Sequence, residues 1–136
     1  MEFIIMSKLK VKHRHRYTNE KQLLFNGDAS IKRHGDYIEI NYQEDALTTV
    51  KISADKDHFK IVRNNEELTS NLEFIKDQDT KNLMSSMYGD FDIEIHTYNY
   101  IYSDNHLEVE YDLISSGEPD GYQIIFEIKE ESNEFN

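Results

Sequence analysis

The stretch HLEVEYDLIS, residues 106–115, alternates apolar and acidic side chains with a period of two. In an extended chain its apolar positions share one face and its acidic positions share the other: Leu107, Val109, Tyr111 and Leu113 against Glu108, Glu110 and Asp112. Alternation of this kind does not produce a helical stripe, and it is typical of a strand that buries one face. The stretch therefore predicts a β-strand with one face in a core and one in water.

The same period recurs along most of the chain. Further strands are predicted at residues 8–17, 37–43, 46–53, 58–63, 68–74, 91–102 and 122–130. Polar clusters that favour tight turns separate them at intervals of about ten residues; they lie at 26–28, 33–36, 54–57, 64–66, 103–105 and 118–121. Only residues 79–87 carry apolar side chains at the spacing of a helical turn, with Asp79 as its cap.

Long strands joined by tight hairpins favour an all-β fold that closes on itself, since closure removes exposed sheet edges. The pattern predicts a single closed antiparallel barrel of about 8–10 strands, mostly a meander. A β-sandwich or jelly roll is the alternative. The chain of 136 residues forms one domain, 1–136, in which 1–6 and 131–136 are expected to be loose tails.

Composition excludes several classes of function. There is no cysteine, so a disulfide framework, a thiolate metal site and a cysteine nucleophile are excluded. The formal charge of -12 disfavours nucleic acid as a partner. The chain has neither the ~18 consecutive apolar residues of a membrane span nor the pattern of a signal peptide. We therefore expect a cytoplasmic protein with no membrane partner, translated from Met1 or Met6.

From Gly27 to about residue 130 the sequence resembles the YwiB-like family of uncharacterised bacterial proteins. The matching pieces are Tyr37-Ile38, Tyr42-Gln43-Glu44, Thr49-Val50-Lys51-Ile52, Ile61-Val62-Arg63, Tyr88-Gly89, Thr97, Leu107-Glu108-Val109-Glu110-Tyr111 and Gly117. Where the family tends to carry Pro before the Tyr-Gly pair, this chain has Met87. The resemblance implies a lipocalin-like, calycin-type barrel, and it implies no particular reaction.

A polar set on faces predicted to be interior is the first candidate site. Arg63, Tyr42 and Tyr111 each share strand parity with apolar residues. An arginine that points into a barrel must be paired, because an isolated buried charge is costly. It could bind a ligand carboxylate or phosphate while the tyrosine hydroxyls fix the head group. Alternatively, Arg63 extends to the rim of the barrel and pairs with Glu44 or another acid.

A second candidate is a metal site. His13 and His15 project from one face of a strand, and with Glu20 they resemble the first metal-binding motif of cupins. Ser7 replaces the Gly that begins that motif, and the second cupin motif lacks its His after Pro119-Asp120-Gly121. The alternative is a histidine pair on a half-buried strand. If the histidines are only such a pair, no cofactor is predicted. If they form the cupin-like site, a divalent transition metal is predicted.

Two further features concern surfaces. The first strand carries a cation stripe, which either binds an anion or partner or pairs with acids on neighbouring strands: Lys8, Lys10, Lys12, Arg14 and Arg16. Tyr98, Tyr100 and Tyr102 share the face of Asp92 and Glu94, which predicts outward tyrosines. Either a bulge near Thr97 switches the strand's faces, or the three tyrosines form a self-association surface.

Taken together, these features predict a non-enzymatic barrel that binds a small anionic or amphipathic ligand through Arg63, Tyr42, Tyr111 and Glu44. The alternatives are a cupin-like metal-dependent enzyme and a structural protein that forms a homodimer through the three tyrosines. No catalytic residue is predicted, since no pair among the 27 acids stands out and no nucleophile motif is present.

Overall fold

The computed structural model describes residues 3–114 and 120–129, which form ten strands. The strands are β1 Phe3–His15, β2 Lys21–His34, β3 Tyr37–Asp45, β4 Thr48–Ala54, β5 Phe59–Asn65, β6 Leu68–Phe74, β7 Asp79–Ser86, β8 Gly89–Tyr102, β9 His106–Leu113 and β10 Asp120–Lys129. Each strand pairs antiparallel with its neighbours in sequence, and β1 also pairs with β10 to close the barrel. The predicted closed meander barrel is confirmed, and the β-sandwich and jelly-roll alternatives are wrong. No helix in the described ranges is long and apolar enough to cross a membrane.

The period of two in the sequence becomes a period of two in burial. On β9, Leu107, Val109 and Tyr111 are buried, whereas the acids between them are half-buried on the outer face. On β10, Phe126 and Ile128 are buried in the same way. Burial of each such side chain contributes roughly 1.5–3 kcal/mol, so the inward row of every strand holds the barrel together.

Three expectations for local structure are wrong. Residues 79–86 form β7 rather than a helical turn; their inward positions include Asn82, which is buried and accepts a hydrogen bond from the backbone N–H of Glu73. That polar inward residue concealed the strand period. Residues 26–28 lie inside β2, and residues 3–6 belong to β1, where they pair with residues 30–33. Residues 131–136 lie outside the described ranges.

A β-bulge interrupts the pairing of β8 with β9 between Thr97 and Asn99. The bulge moves the inward face from odd to even positions, so Thr97 and Tyr100 are both buried while Tyr98 remains exposed. The three tyrosines therefore do not share a face. Of the two explanations for their spacing, the bulge is the one that this part of the barrel adopts.

The two ends of the barrel differ. We call the closed end the one that carries the β2–β3, β4–β5, β6–β7 and β8–β9 turns, and the mouth the opposite one. At the closed end, the hydroxyl of Tyr100 donates to the carbonyl of Asp55 at 2.5 Å, and that of Tyr102 donates to the carbonyl of Asp36. Arg33 Nη2 donates to the carbonyl of Asp104 at 2.6 Å. Side chains thus fasten three of the turns that close this end.

Aromatic rings fill the lumen behind those turns. The ring of Phe59 lies 5.7 Å from that of Phe74, 5.5 Å from that of Tyr100 and 5.6 Å from that of Phe126. The three phenylalanines are at most 2% exposed. Tilted and edge-on contacts at such distances are favourable beyond the area they bury. The lumen at the closed end is therefore a packed core.

Candidate functional site at the mouth

The mouth brings together the polar set predicted from the sequence. Arg63 is on β5, which pairs with β4, and Glu44 is near the end of β3, the next strand round the barrel. Nε and Nη2 of Arg63 both donate to Oε2 of Glu44, at 3.2 and 2.5 Å. The alternative in which Arg63 reaches the rim and pairs with Glu44 therefore describes its position.

Arg63 retains hydrogen-bonding capacity in that position. Its side chain is 43% exposed, and within the described residues Nη1 donates no hydrogen bond. A guanidinium has five N–H donors in a planar fork, and the pair with Glu44 occupies one edge of it. Because the side chain is partly exposed, a carboxylate or phosphate oxygen could accept from its remaining N–H groups.

Tyr42 and Tyr111 lie on the inward face, as predicted. The ring of Tyr42 is tilted against that of Phe25 with ring centres 4.6 Å apart, and Tyr111 contacts Phe74 at 4.9 Å and Tyr122 at 5.7 Å. Burial raises the pKa of both hydroxyls, and the charge of Glu44 adds to the shift at Tyr42. Both hydroxyls are therefore protonated at neutral pH, and neither donates a hydrogen bond to another described residue.

Apolar side chains complete the inner wall of the mouth, and they are only half-buried. Most inward residues of the closed end are fully buried instead, although Tyr102 is half-buried. The half-buried members that pack against the core at the mouth are Leu24, Phe25, Ile93, Leu113 and Tyr122. Partly accessible apolar side chains next to a few polar donors are the usual lining of a small-molecule site.

The histidines predicted as metal ligands lie at the rim of the mouth. His13 stacks on Tyr122 at 4.7 Å, and burial lowers its pKa. His15 uses both ring nitrogens: Nδ1 accepts from the backbone N–H groups of Tyr17 and Thr18, and Nε2 lies 3.0 Å from Oδ1 of Asp120. These contacts place the proton on Nε2, which leaves no nitrogen of His15 for a metal.

Glu20, the third predicted ligand, is exposed in the β1–β2 turn. In the ranges that the structure describes, no three His, Asp or Glu side chains come together as a metal-binding group. The cupin resemblance also requires a jelly roll, and the chain forms a meander barrel instead.

The cation stripe of β1 lies on the outer face of the barrel, and alternate members of it are paired with acids. Lys8 pairs with Asp28, Lys12 with Glu127 at 3.0 Å, and Arg16 with Asp112 at 2.7 Å. Cross-strand pairing, one of the two predicted explanations, therefore accounts for these three residues.

A cluster on the outer rim was not predicted. Asp112 accepts hydrogen bonds from the hydroxyls of Tyr17 and Tyr98 at 2.9 and 2.8 Å, and from Arg16, whose guanidinium lies 4.5 Å from the ring centre of Tyr98. A Cβ at Gly121 would lie 2.2 Å from Oδ1 of Asp112. Asp112 appeared in the sequence only as one outward acid among several, so no signal identified it.

The fold and the mouth define the class: a small ten-stranded meander barrel with a packed closed end and a half-accessible opposite end. Residues 8–125 match a family described as a domain of unknown function, DUF1934, and the chain belongs to that family. The predicted resemblance to YwiB-like β-barrel proteins is confirmed.

A solved structure is similar to this barrel. The crystal structure of ywiB protein from Bacillus subtilis aligns with a TM-score of 0.71 and 14% sequence identity, over 91% of this chain and 92% of that one. At this identity the likeness shows a common fold and no common activity. No curated protein matches the chain.

Proposed function

We propose that the barrel binds a small amphipathic anion at its mouth and carries out no reaction on it. The supporting observation is the contrast in burial along the inward face. Most inward apolar residues near the closed end are fully buried, with Leu72 and Tyr102 half-buried, whereas five at the mouth are half-buried. Folded chains rarely leave inward apolar surface accessible without a use for it, and an amphipathic ligand would cover it.

The chemistry of the lining indicates what such a ligand carries. Its apolar part would lie against the half-buried side chains of Phe25, Ile93 and Leu113 and remove them from water. Its anionic group would accept hydrogen bonds from Nη1 of Arg63 and from the hydroxyl of Tyr42, which stands near the Arg63–Glu44 pair. Glu44 keeps Arg63 in place and also sets a competing negative charge beside the ligand.

Titration with octanoate and with 1-octanol tests the proposal by calorimetry. Octanoate is expected to bind more tightly than 1-octanol, since only octanoate can pair with Arg63. Arg63→Gln should remove this preference and lower the octanoate affinity by about tenfold. Lys51→Gln on β4, which faces outward and pairs with Glu39, is the matched control for loss of one cation.

A second pair of variants tests the apolar wall on a single strand. Ile93→Asn changes an inward, half-buried residue of β8, and Ile101→Asn changes an outward residue of the same strand that is 40% exposed. Both ligands should bind less tightly to Ile93→Asn than to the unmodified chain. Each ligand should bind to Ile101→Asn as tightly as it binds to the unmodified chain. Equal losses in the two variants, or no binding to the unmodified chain, would contradict a site at the mouth.

A further inference from the structure

A groove on the outside of the barrel carries charge of the sign opposite to that of the whole protein. It has a volume of about 630 Å³ and runs over β1 with β2 and β10 on its flanks. Its cations are Lys10, Lys12 and Arg14 from β1, and Lys21 from β2. The whole chain has a formal charge of -12, so the four cations give this groove a charge of the opposite sign.

Three of these cations make no ion pair with any residue that the structure describes. Lys12 pairs with Glu127, but Lys10, Arg14 and Lys21 make no ion pair within the described residues. Arg14 donates instead to neutral oxygens, with Nε 2.7 Å from Oε1 of Gln123. Lys8 and Arg16, which belong to the same stripe outside the groove, both pair with acids.

The neighbouring positions explain why the groove stays positive. The outward residues opposite Lys10, Lys12 and Arg14 on the flanking strands are mostly neutral: Gln123, Ile125, Leu23 and Asn26. Glu127, directly opposite Lys10 on β10, is the acid among these cross-strand neighbours, and its carboxylate pairs with Lys12 instead. Leu23, which is 54% exposed, and Ile125 add apolar surface on the two sides of the cations.

We propose that this groove binds a soluble organic phosphate. Arg14 can bind a phosphate by a fork of two hydrogen bonds, and Lys10 and Lys21 add point charges on either side. The apolar flanks fit the organic part of such an ester, and the volume is within the range of small-molecule sites. The cations of the groove are on the outer face, and none of them is among the residues proposed to bind a ligand at the mouth.

Phenyl phosphate and inorganic phosphate are suitable probes for calorimetry on the full chain. Phenyl phosphate should bind more tightly, because only its ring can contact Leu23 and Ile125. The triple variant K10Q/R14Q/K21Q should weaken the binding of phenyl phosphate by at least about tenfold. K56Q/K60Q/K81Q, which removes three exposed lysines elsewhere on the barrel, should change it less than about twofold.

Three results would overturn the proposal: no binding of phenyl phosphate, equal weakening in the two triple variants, or binding only to vesicles of phosphatidylcholine and phosphatidic acid. Equal weakening would mean that the anion responds to net charge alone. Octanoate binding at the mouth should be unchanged in K10Q/R14Q/K21Q, so failure of either site is seen separately.

Discussion

The closed end and the mouth are built from the same ten strands, yet the inward side chains at each make different kinds of contact. At the closed end, phenylalanines pack against one another and tyrosine hydroxyls bond to turn carbonyls. At the mouth, half-buried apolar residues lie near tyrosines and the Arg63–Glu44 ion pair. The packed side chains of the closed end therefore stabilise the barrel, whereas the half-buried side chains of the mouth remain available for binding.

Removal of one ring from each end should give the largest difference between them. Phe59→Ala deletes a fully buried ring with three aromatic neighbours and should lower the free energy of unfolding by about 3–5 kcal/mol. Phe25→Ala deletes a half-buried ring at the mouth and should cost about 1–2 kcal/mol. Urea unfolding followed by circular dichroism measures both, and equal costs would contradict the division.

Substitution of Gly121 tests whether the rim of the mouth is held rigidly from outside. An alanine Cβ there would meet Oδ1 of Asp112 and, at 2.9 Å, Cε2 of Tyr17. Gly121→Ala should cost about 1–3 kcal/mol, because Asp112 would have to leave its three hydrogen-bond donors. The same urea experiment measures it. In the Asp112→Ala background the added cost of Gly121→Ala should largely disappear, and an undiminished cost would contradict the clash.

The difference between the closed end and the mouth could not be predicted from the sequence pattern alone. Strand parity identified the inward rows, and the slip in parity at Thr97 gave the bulge as one of two explanations. Parity does not say how deep an inward residue lies, since depth depends on strand register. Register, unlike parity, is set by pairing between strands, and it brought Arg63 to Glu44 and Arg16 to Asp112. The bulge between β1 and β2 at Val11 and Lys12, next to the groove, was likewise marked by no sequence motif.

Two conservative tyrosine substitutions compare the ends at the level of one hydroxyl. Tyr100→Phe removes a donor to the carbonyl of Asp55 and should cost about 1 kcal/mol. Tyr42→Phe removes a hydroxyl that has no partner among the described residues and should leave stability within about 0.5 kcal/mol. Thermal unfolding compares the two, and a larger loss for Tyr42→Phe would reverse the assignment of the ends.

Acid should affect the mouth before the closed end. Burial lowers the pKa of His13 from 6.5, helped by the charge of His15 and opposed by Asp120. The unfolded chain then takes up a proton at this histidine that the folded chain resists, so stability falls as pH drops below about 6.5. At the closed end, hydrogen bonds from the backbone N–H groups of Asp57 and His58 lower the pKa of Asp55 from 3.8. Its contribution is lost only in more acidic solution.

The contribution of His13 to the pH dependence is measured by the free energy of unfolding at about pH 7.5 and pH 5.5. We expect it to be the smallest difference between the two ends. His13→Gln should lose less stability over this interval than the unmodified chain, and Asp55→Asn should lose as much as the unmodified chain does. If His13→Gln follows the unmodified chain throughout, the histidine at the mouth does not set the response.

The most direct test of the central claim is a map of octanoate binding by amide chemical shifts in solution. A ligand at the mouth should cause saturable shifts at Phe25, Ile93 and Leu113, with little change at Phe59 and Phe74 behind the closed end. Shifts that centre on Phe59 and Phe74, or that spread evenly over the outer face, would contradict a ligand site at the mouth.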